Sequence, residues 1–350
     1  MRDEVSATDR PLAGCLYFIG SALPLLGIID CYGMRYSFVW DHWAYIPSLG
    51  LIALYCVVVT GTSMRFLTQT SRGILACALL LAFGTLTWRQ AGSYRNDEAL
   101  WRDTANKNPA AWLACNYLGY YAGRRGASAE ALSYYRRSIA IHPNSEAYYN
   151  LANTLALEGQ AEEAIPAYRE ALRLDPNLSA AYVDMGTIFA SQGRLADAVA
   201  EYRKAVELNP RRAHARWCLA ATLQRMGRIP EAVAHYREAV RIDPNMPQAL
   251  ENLATILASD PHGELRNGAE AVGLAERACQ LTRYEEPHSV STLSMAYAEA
   301  RRFREATSMA ERAAALAAAG GDPEGAKVNR ALAEQYRSGQ PYRDRDNSTN

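Results

Sequence analysis

Charge of one sign is missing from this 350-residue chain: 37 acidic residues balance 37 basic ones, and the formal net charge is zero. No basic run stands out either, so no single-sign field exists to draw in nucleic acid, and no nucleic-acid partner is expected. Lysine is almost absent, with Lys107, Lys204 and Lys327 the whole complement. The seven cysteines (Cys15, Cys31, Cys56, Cys77, Cys115, Cys218, Cys279) stand singly, without a C-x-x-C pair or a metal-ligand spacing. That pattern argues against a disulfide framework or a zinc site. The histidines His142, His214, His235, His262 and His288 are dispersed, and no Ser-His-Asp set, P-loop, G-x-G-x-x-G or H-E-x-x-H occurs. No catalytic residue, metal or cofactor is therefore expected, and the chain is not expected to be an enzyme by itself.

What the chain does have is a period. Gly126, Gly159, Gly193 and Gly227 recur every 33 or 34 residues, and Pro143, Pro176, Pro210 and Pro244 follow at the same intervals. Leu118, Leu151, Met185, Leu219 and Leu253 keep the phase, as do Ala131, Ala164, Ala198 and Ala232, then Tyr135, Tyr168, Tyr202 and Tyr236. In the unit from Ala180 to Pro210, Tyr182, Met185, Gly186 and Phe189 fall at i, i+3, i+4 and i+7, one face of a helix. Gly193 ends that helix because glycine takes a positive φ without steric cost. Ala198, Tyr202 and Ala205 mark the inner face of a second helix, and Pro210 stops it. Gly186, Ala198 and Ala205 let the helices approach, and Tyr202 fills the remaining volume. Pro166 and Pro230 are expected in the opening turns of second helices, where a missing N–H costs least.

A 34-residue period with this pattern is that of tetratricopeptide repeats (TPR). The expected fold is all-α: an α-solenoid of helical hairpins, wound as a right-handed superhelix, spanning 112–320. Five to six repeats are placed at 112–144, 145–178, 179–212, 213–246, a stretched one at 247–286 and a degenerate one at 287–320. The fifth carries the insertion Ser259-Asp260-Pro261-His262-Gly263, and in the sixth Arg301 stands where glycine belongs. Residues 321–350 are read as an Asp322-capped terminal helix covering the open end, followed by a polar tail that frays from Gln340.

The first ninety residues have a different character. Leu12–Ile29, Ile46–Met64 and Gly73–Trp88 contain no charged residue, and their lengths approach the roughly 20 residues a bilayer crossing needs. Three transmembrane helices are expected at about 12–29, 46–64 and 73–88, with 91–111 as a connecting amphipathic helix. Arg2, Arg10, Arg65 and Arg72 against Arg35 alone place the N-terminus inside and the repeats outside.

Asp41-His42-Trp43-Ala44-Tyr45-Ile46-Pro47-Ser48-Leu49-Gly50, Trp101 within Asn96–Trp101, and the ending Gly339-Gln340-Pro341-Tyr342-Arg343 carry a resemblance. The chain resembles the C-terminal part of the bacterial transmembrane-and-tetratricopeptide-repeat family, relatives of protein O-mannosyltransferases. The resemblance implies a multi-pass inner-membrane protein with periplasmic repeats. In that family the chemistry lies in earlier membrane helices that precede this segment, so the resemblance also implies a truncated member or a split gene product. It further implies that Arg35 or His42 meets the phosphate of a polyprenyl-linked sugar, with membrane lipid as a partner. Asp41 lacks a second acid nearby in sequence.

The repeats supply a second set of candidates. First-helix residues that point away from the hairpin interior are Tyr149, Asn150, Asn153, Val183, Asp184, Thr187, His214, Trp217, Gln224, Arg225, Glu251, Asn252 and Thr255. Asn150 and Asn252, with Asp184 between, resemble the asparagine ladder that holds peptide backbone in the superhelix of O-GlcNAc transferase. Tyr117, Cys218 and Thr292 break the ladder. Amides suit such a task because they both donate and accept, and Trp217 suits an anchor. The expected function is a membrane-anchored interaction scaffold that binds protein or peptide segments in its groove. The alternative is a non-catalytic C-terminal portion or subunit of a polyprenyl-phosphate-sugar-dependent protein O-glycosyltransferase.

Overall fold

The computed structural model describes residues 96–261 and 263–344, together with Thr68, Thr70 and Ser71. The three expected membrane spans, and Arg35 and His42, lie outside the described residues. No helix among the described residues is long and apolar enough to cross a membrane. Those residues form fourteen α-helices and no strand, and the chain divides into two compact units between Leu174 and Asp175.

The first unit holds α1 (Asp97–Lys107), α2 (Trp112–Arg124), α3 (Ser128–Ile141), α4 (Ser145–Leu157) and α5 (Ala161–Leu174). Asn96 caps α1 by accepting the Ala99 N–H at 2.8 Å, and Asp97, Glu98 and Lys107 complement the helix dipole at its two ends. Ala105 of α1 meets Ala114 and Leu118 of α2, with Trp101, Ala111 and Tyr134 packed around them. Trp101 stacks on Tyr117, centroids 4.6 Å apart and planes 5° apart. Each hairpin closes on a tyrosine from its second helix. A Cβ on Gly119 would lie 2.6 Å from the Tyr135 ring, so only glycine permits this approach. Pro166 departs from expectation: it sits inside α5 rather than in the opening turn, so it interrupts that helix's bonding ladder.

The second unit holds α6 (Ser179–Ser191), α7 (Leu195–Leu208), α8 (Ala213–Arg225), α9 (Ile229–Ile242), α10 (Pro247–Ser259), α11 (Gly268–Leu281), α12 (Pro287–Glu299), α13 (Phe303–Ala319) and α14 (Pro323–Arg337). Successive helices pack as antiparallel hairpins, and the first helices α6, α8, α10 and α12 also adjoin one another. Tyr236, Leu219, Leu223, Leu253, Leu257 and Leu293 fill the interior, each under 2% exposed. Pro230 does fall in the first turn of α9.

The turns between paired helices repeat one device. Gly193 has φ 75°, and the Arg194 N–H bonds the Phe189 carbonyl at 2.9 Å while its guanidinium lies 4.3 Å from the Phe189 ring. Arg301 keeps the same geometry without glycine: φ is 60°, Arg302 N–H bonds Tyr297 O at 2.8 Å, and the Arg302 guanidinium lies 4.2 Å from the Tyr297 ring. The closing bonds of the turn hold a side chain in a left-handed conformation that it would otherwise avoid.

The stretched repeat lengthens the path between α10 and α11. Asn267 re-enters by donating its N–H to Leu257 O at 2.9 Å and caps α11 through Glu270 N–H. A Cβ on Gly268 would lie 2.8 Å from the backbone nitrogen of Ala300, so α11 begins against the end of α12. Asp322 caps α14 by accepting Gly325 N–H at 2.9 Å. The tail does not fray at Gln340: Gly339 (φ 76°) turns it back, and Asp344 N–H bonds Ser259 O at 2.9 Å. Polar composition hid this contact because its partner is a distant helix end.

Candidate functional site

In the first unit, Asn153 and Tyr168 form a pair: the Tyr168 hydroxyl donates to Asn153 Oδ1. Tyr149 packs half-buried against Tyr168, ring centroids 6.1 Å apart. Asn150 is also engaged, donating its amide to Asn116 Oδ1 at 3.2 Å. The ladder therefore runs to Asn116, one residue before the Tyr117 position that the period assigns, and Asn116 is only 1% exposed. Asn150 and Asn153 serve the packing of their own unit through their polar atoms, and Tyr149 does so through its ring.

The second unit repeats the arrangement. Thr187 shares a hydrogen bond with the Tyr202 hydroxyl at 3.1 Å. Tyr236 donates to Gln224 Oε1 at 2.8 Å and receives the Asn252 amide at 2.8 Å. Burial pushes the Tyr202 and Tyr236 phenols up to about 12, so both stay protonated. Sequence reading assigned these tyrosines to apolar filling alone. The missed signal was tyrosine rather than phenylalanine, with a polar residue fifteen positions earlier at Asn153 and Thr187. At the third site Ala221 occupies that position, and Gln224 supplies the acceptor instead.

Two expectations need correction. Val183 is 1% exposed and belongs to the buried interior rather than to an open face. Glu251 is 9% exposed rather than open: Ser289 of α12 donates its hydroxyl to Oε1, and His288 Nε2 stands 4.0 Å from Oε2. The close neighbour α12 covers this face of α10, and Thr255 meets the buried Thr292 across the same seam at 3.4 Å.

What stays accessible centres on α8. His214 is exposed and stacks on Trp217, centroids 5.6 Å apart and planes 27° apart. Desolvation lowers the His214 pKa below the usual histidine value and Arg212 lowers it further, against the opposing pull of Asp184. Trp217 is half-buried, and its indole N–H is covered without a hydrogen-bond partner. Arg225, exposed at the end of α8, donates to Ala190 O of α6 at 3.0 Å. Asp184 on α6 is partly exposed. Cys218, one residue beyond Trp217, is buried, and desolvation pushes its thiol up to about 12, so it is no nucleophile. Among the described residues no group of histidine, cysteine and carboxylate side chains could hold a metal ion.

The hairpins, their glycine turns and their packing define an array of tetratricopeptide repeats. Residues 145–178, 183–247 and 219–285 match tetratricopeptide-repeat family models. A 59-residue stretch is 44% identical to the TPR repeat-containing thioredoxin TTL4 of Arabidopsis thaliana; it covers 17% of this chain and 9% of that relative. PilF of Pseudomonas aeruginosa superposes with a TM-score of 0.55 at 19% identity, over 65% of this chain and 99% of that one. The APC/C hetero-tetramer Cut9-Hcn1 gives 0.52 at 16% identity, over 69% of this chain and 46% of the matched chain. At these identities the structural likenesses establish the fold alone.

Proposed function

We propose that this tetratricopeptide-repeat protein is a membrane-anchored interaction scaffold that takes a peptide segment along the face shared by α6, α8 and α10. The observation that carries the reading is the His214–Trp217 aromatic pair on α8, exposed at the histidine and half-open at the indole, with Arg212 and Asp184 close enough to act on the imidazole. A half-open indole beside groups of both signs is the composition of a binding anchor with a polar surround. Tyr149, Asn150, Asn153, Thr187, Glu251 and Asn252 then act as the framework that fixes the first helices rather than as direct contacts. Anchoring rests on the three uncharged runs before residue 90, with the repeats on the periplasmic side of a bacterial inner membrane.

The test is a peptide library panned against the full-length chain in detergent. Trp217→Ala weakens the selected peptides by about 2 kcal/mol, roughly thirtyfold, while helical circular dichroism is retained. Equal binding by wild type and Trp217→Ala sinks the assignment. Membrane fractions washed with alkaline carbonate keep an integral chain, and release into the wash rules out the anchor.

The Asp41–Gly50 stretch favours a second reading, in which this chain is the acceptor-presenting part of a polyprenyl-phosphate-sugar-dependent O-glycosyltransferase completed by another membrane half. Arg35 and His42 would then contact the lipid phosphate. Arg35→Ala and His42→Ala should each weaken binding of polyprenyl phosphate to vesicles carrying the protein; unchanged binding refutes the contact.

A further inference from the structure

The segment after α14 is held at a place that the repeat pattern does not provide. Gly339 turns the chain, and Pro341 accepts the Gln335 side-chain amide at 3.0 Å. Tyr342 packs on an apolar cluster made by Ala298, Ala306, Ala310, Leu332, Ala333 and the fully buried Tyr336. The next residue, Arg343, reaches Glu299 Oε2 at 2.7 Å and Ala258 O at 3.4 Å. Asp344 N–H then closes on Ser259 O at 2.9 Å. Backbone groups of residues 341 and 344 and the side chains of residues 342 and 343 are thus read separately, as an extended peptide ligand is read by its receptor.

The receptor side is made at the ends of α10 and α12. Ala258 and Ser259 carry the last two carbonyls of α10, which accept these bonds at the negative end of its dipole, where a guanidinium is favoured. Glu299 ends α12 and is 16% exposed at its side chain, and it also faces Arg266 at 3.9 Å. Arg266 comes from the lengthened α10–α11 connection, which no ordinary repeat has. The lengthened repeat and the tail therefore meet at one carboxylate.

We propose that the ends of α10 and α12, with Arg266 beside them, form a peptide seat specific for an extended aromatic–arginine pair, which the chain's own Gln340–Asp344 fills as a releasable latch. This seat lies at helix ends and is independent of the α6–α10 face. Tethering raises the tail's effective concentration, so a matching segment in trans gains access only when the tail is weakened.

The experiment uses the full-length chain carrying Tyr342→Ala and Arg343→Ala together, and a fluorescent synthetic peptide with the sequence of residues 339–345. The peptide binds this opened chain and not the wild type at the same concentration. A peptide with alanine in place of its tyrosine fails to bind. Adding Glu299→Gln to the opened chain weakens binding about tenfold, the scale of a lost charge-assisted contact. No binding to an opened chain that keeps its helical circular dichroism overturns the proposal, as does equal binding to wild type. If the opened chain loses its helical signal, the tail is part of the core rather than a ligand, and the proposal also falls. In wild type, the Asp344 amide exchanges hydrogen slowly and Glu299→Gln speeds it; equal exchange counts against the seat.

Discussion

Asn252 donates its amide to the phenolic oxygen of Tyr236 at 2.8 Å, so the first helix of one repeat is fixed by the second helix of the repeat before it. The same hydroxyl donates to Gln224. Tyr236→Phe leaves both amides without this partner and should destabilise the second unit by about 1–2 kcal/mol. A thermal or urea melt reads the loss, and an unchanged midpoint would show that the hydroxyl contributes nothing.

Arg301 holds φ 60° where the four regular repeats use Gly126, Gly159, Gly193 and Gly227. Arg301→Gly removes steric strain of roughly 1–2 kcal/mol but adds flexibility to the unfolded chain. The net expectation is a gain of about 0.5–1 kcal/mol, seen as a melting midpoint about 1–4 °C higher. A lower midpoint would mean that the Arg301 side chain has a contact worth more than its strain.

Two glycines within helices should respond in opposite directions to alanine. A Cβ on Gly186 would lie 2.9 Å from the Tyr202 ring, whereas a Cβ on the exposed Gly273 meets nothing within 4 Å. Gly186→Ala should cost about 1–3 kcal/mol through overpacking, and Gly273→Ala should stabilise by up to about 1 kcal/mol through helix propensity. Chemical denaturation of the two variants side by side makes the comparison.

His214 offers a pH test. Desolvation and Arg212 set its folded pKa below 6.5, so between that pKa and 6.5 the unfolded chain binds more protons than the folded one. The contribution of neutral His214 to stability is complete above pH 6.5 and is lost as pH falls through the window below it. The imidazole proton resonance of His214 should titrate with a midpoint under 6.5 and move upward in Arg212→Ala. A midpoint at or above 6.5 contradicts the arrangement.

The apolar and conformational parts of the fold were readable from the chain because they recur. Ala198 and Ala205 are fully buried and Tyr202 is 3% exposed, positions that a 34-residue period marks without any knowledge of distance. Polar atoms were harder to assign. Periodicity says which side of a helix a residue occupies, but not whether a neighbouring helix offers it a partner. Asn153 and Thr187 looked open for that reason, and each meets a tyrosine hydroxyl from the second helix. Glu251 is covered because α12 approaches α10 closely enough for Ser289 to reach it. The Arg343–Ala258 contact joins residues 85 positions apart, a separation that no local pattern encodes.

The three described thiols are all enclosed: Cys115 on α2, Cys218 on α8 and Cys279 on α11, the latter two raised to about 12 by burial. A thiol reagent can reach each one only when its own stretch of the array breathes. Peptide mapping of labelled sites over time would therefore clock the opening of three separate repeats in the untouched protein, and would show whether the array comes apart from one end or all together.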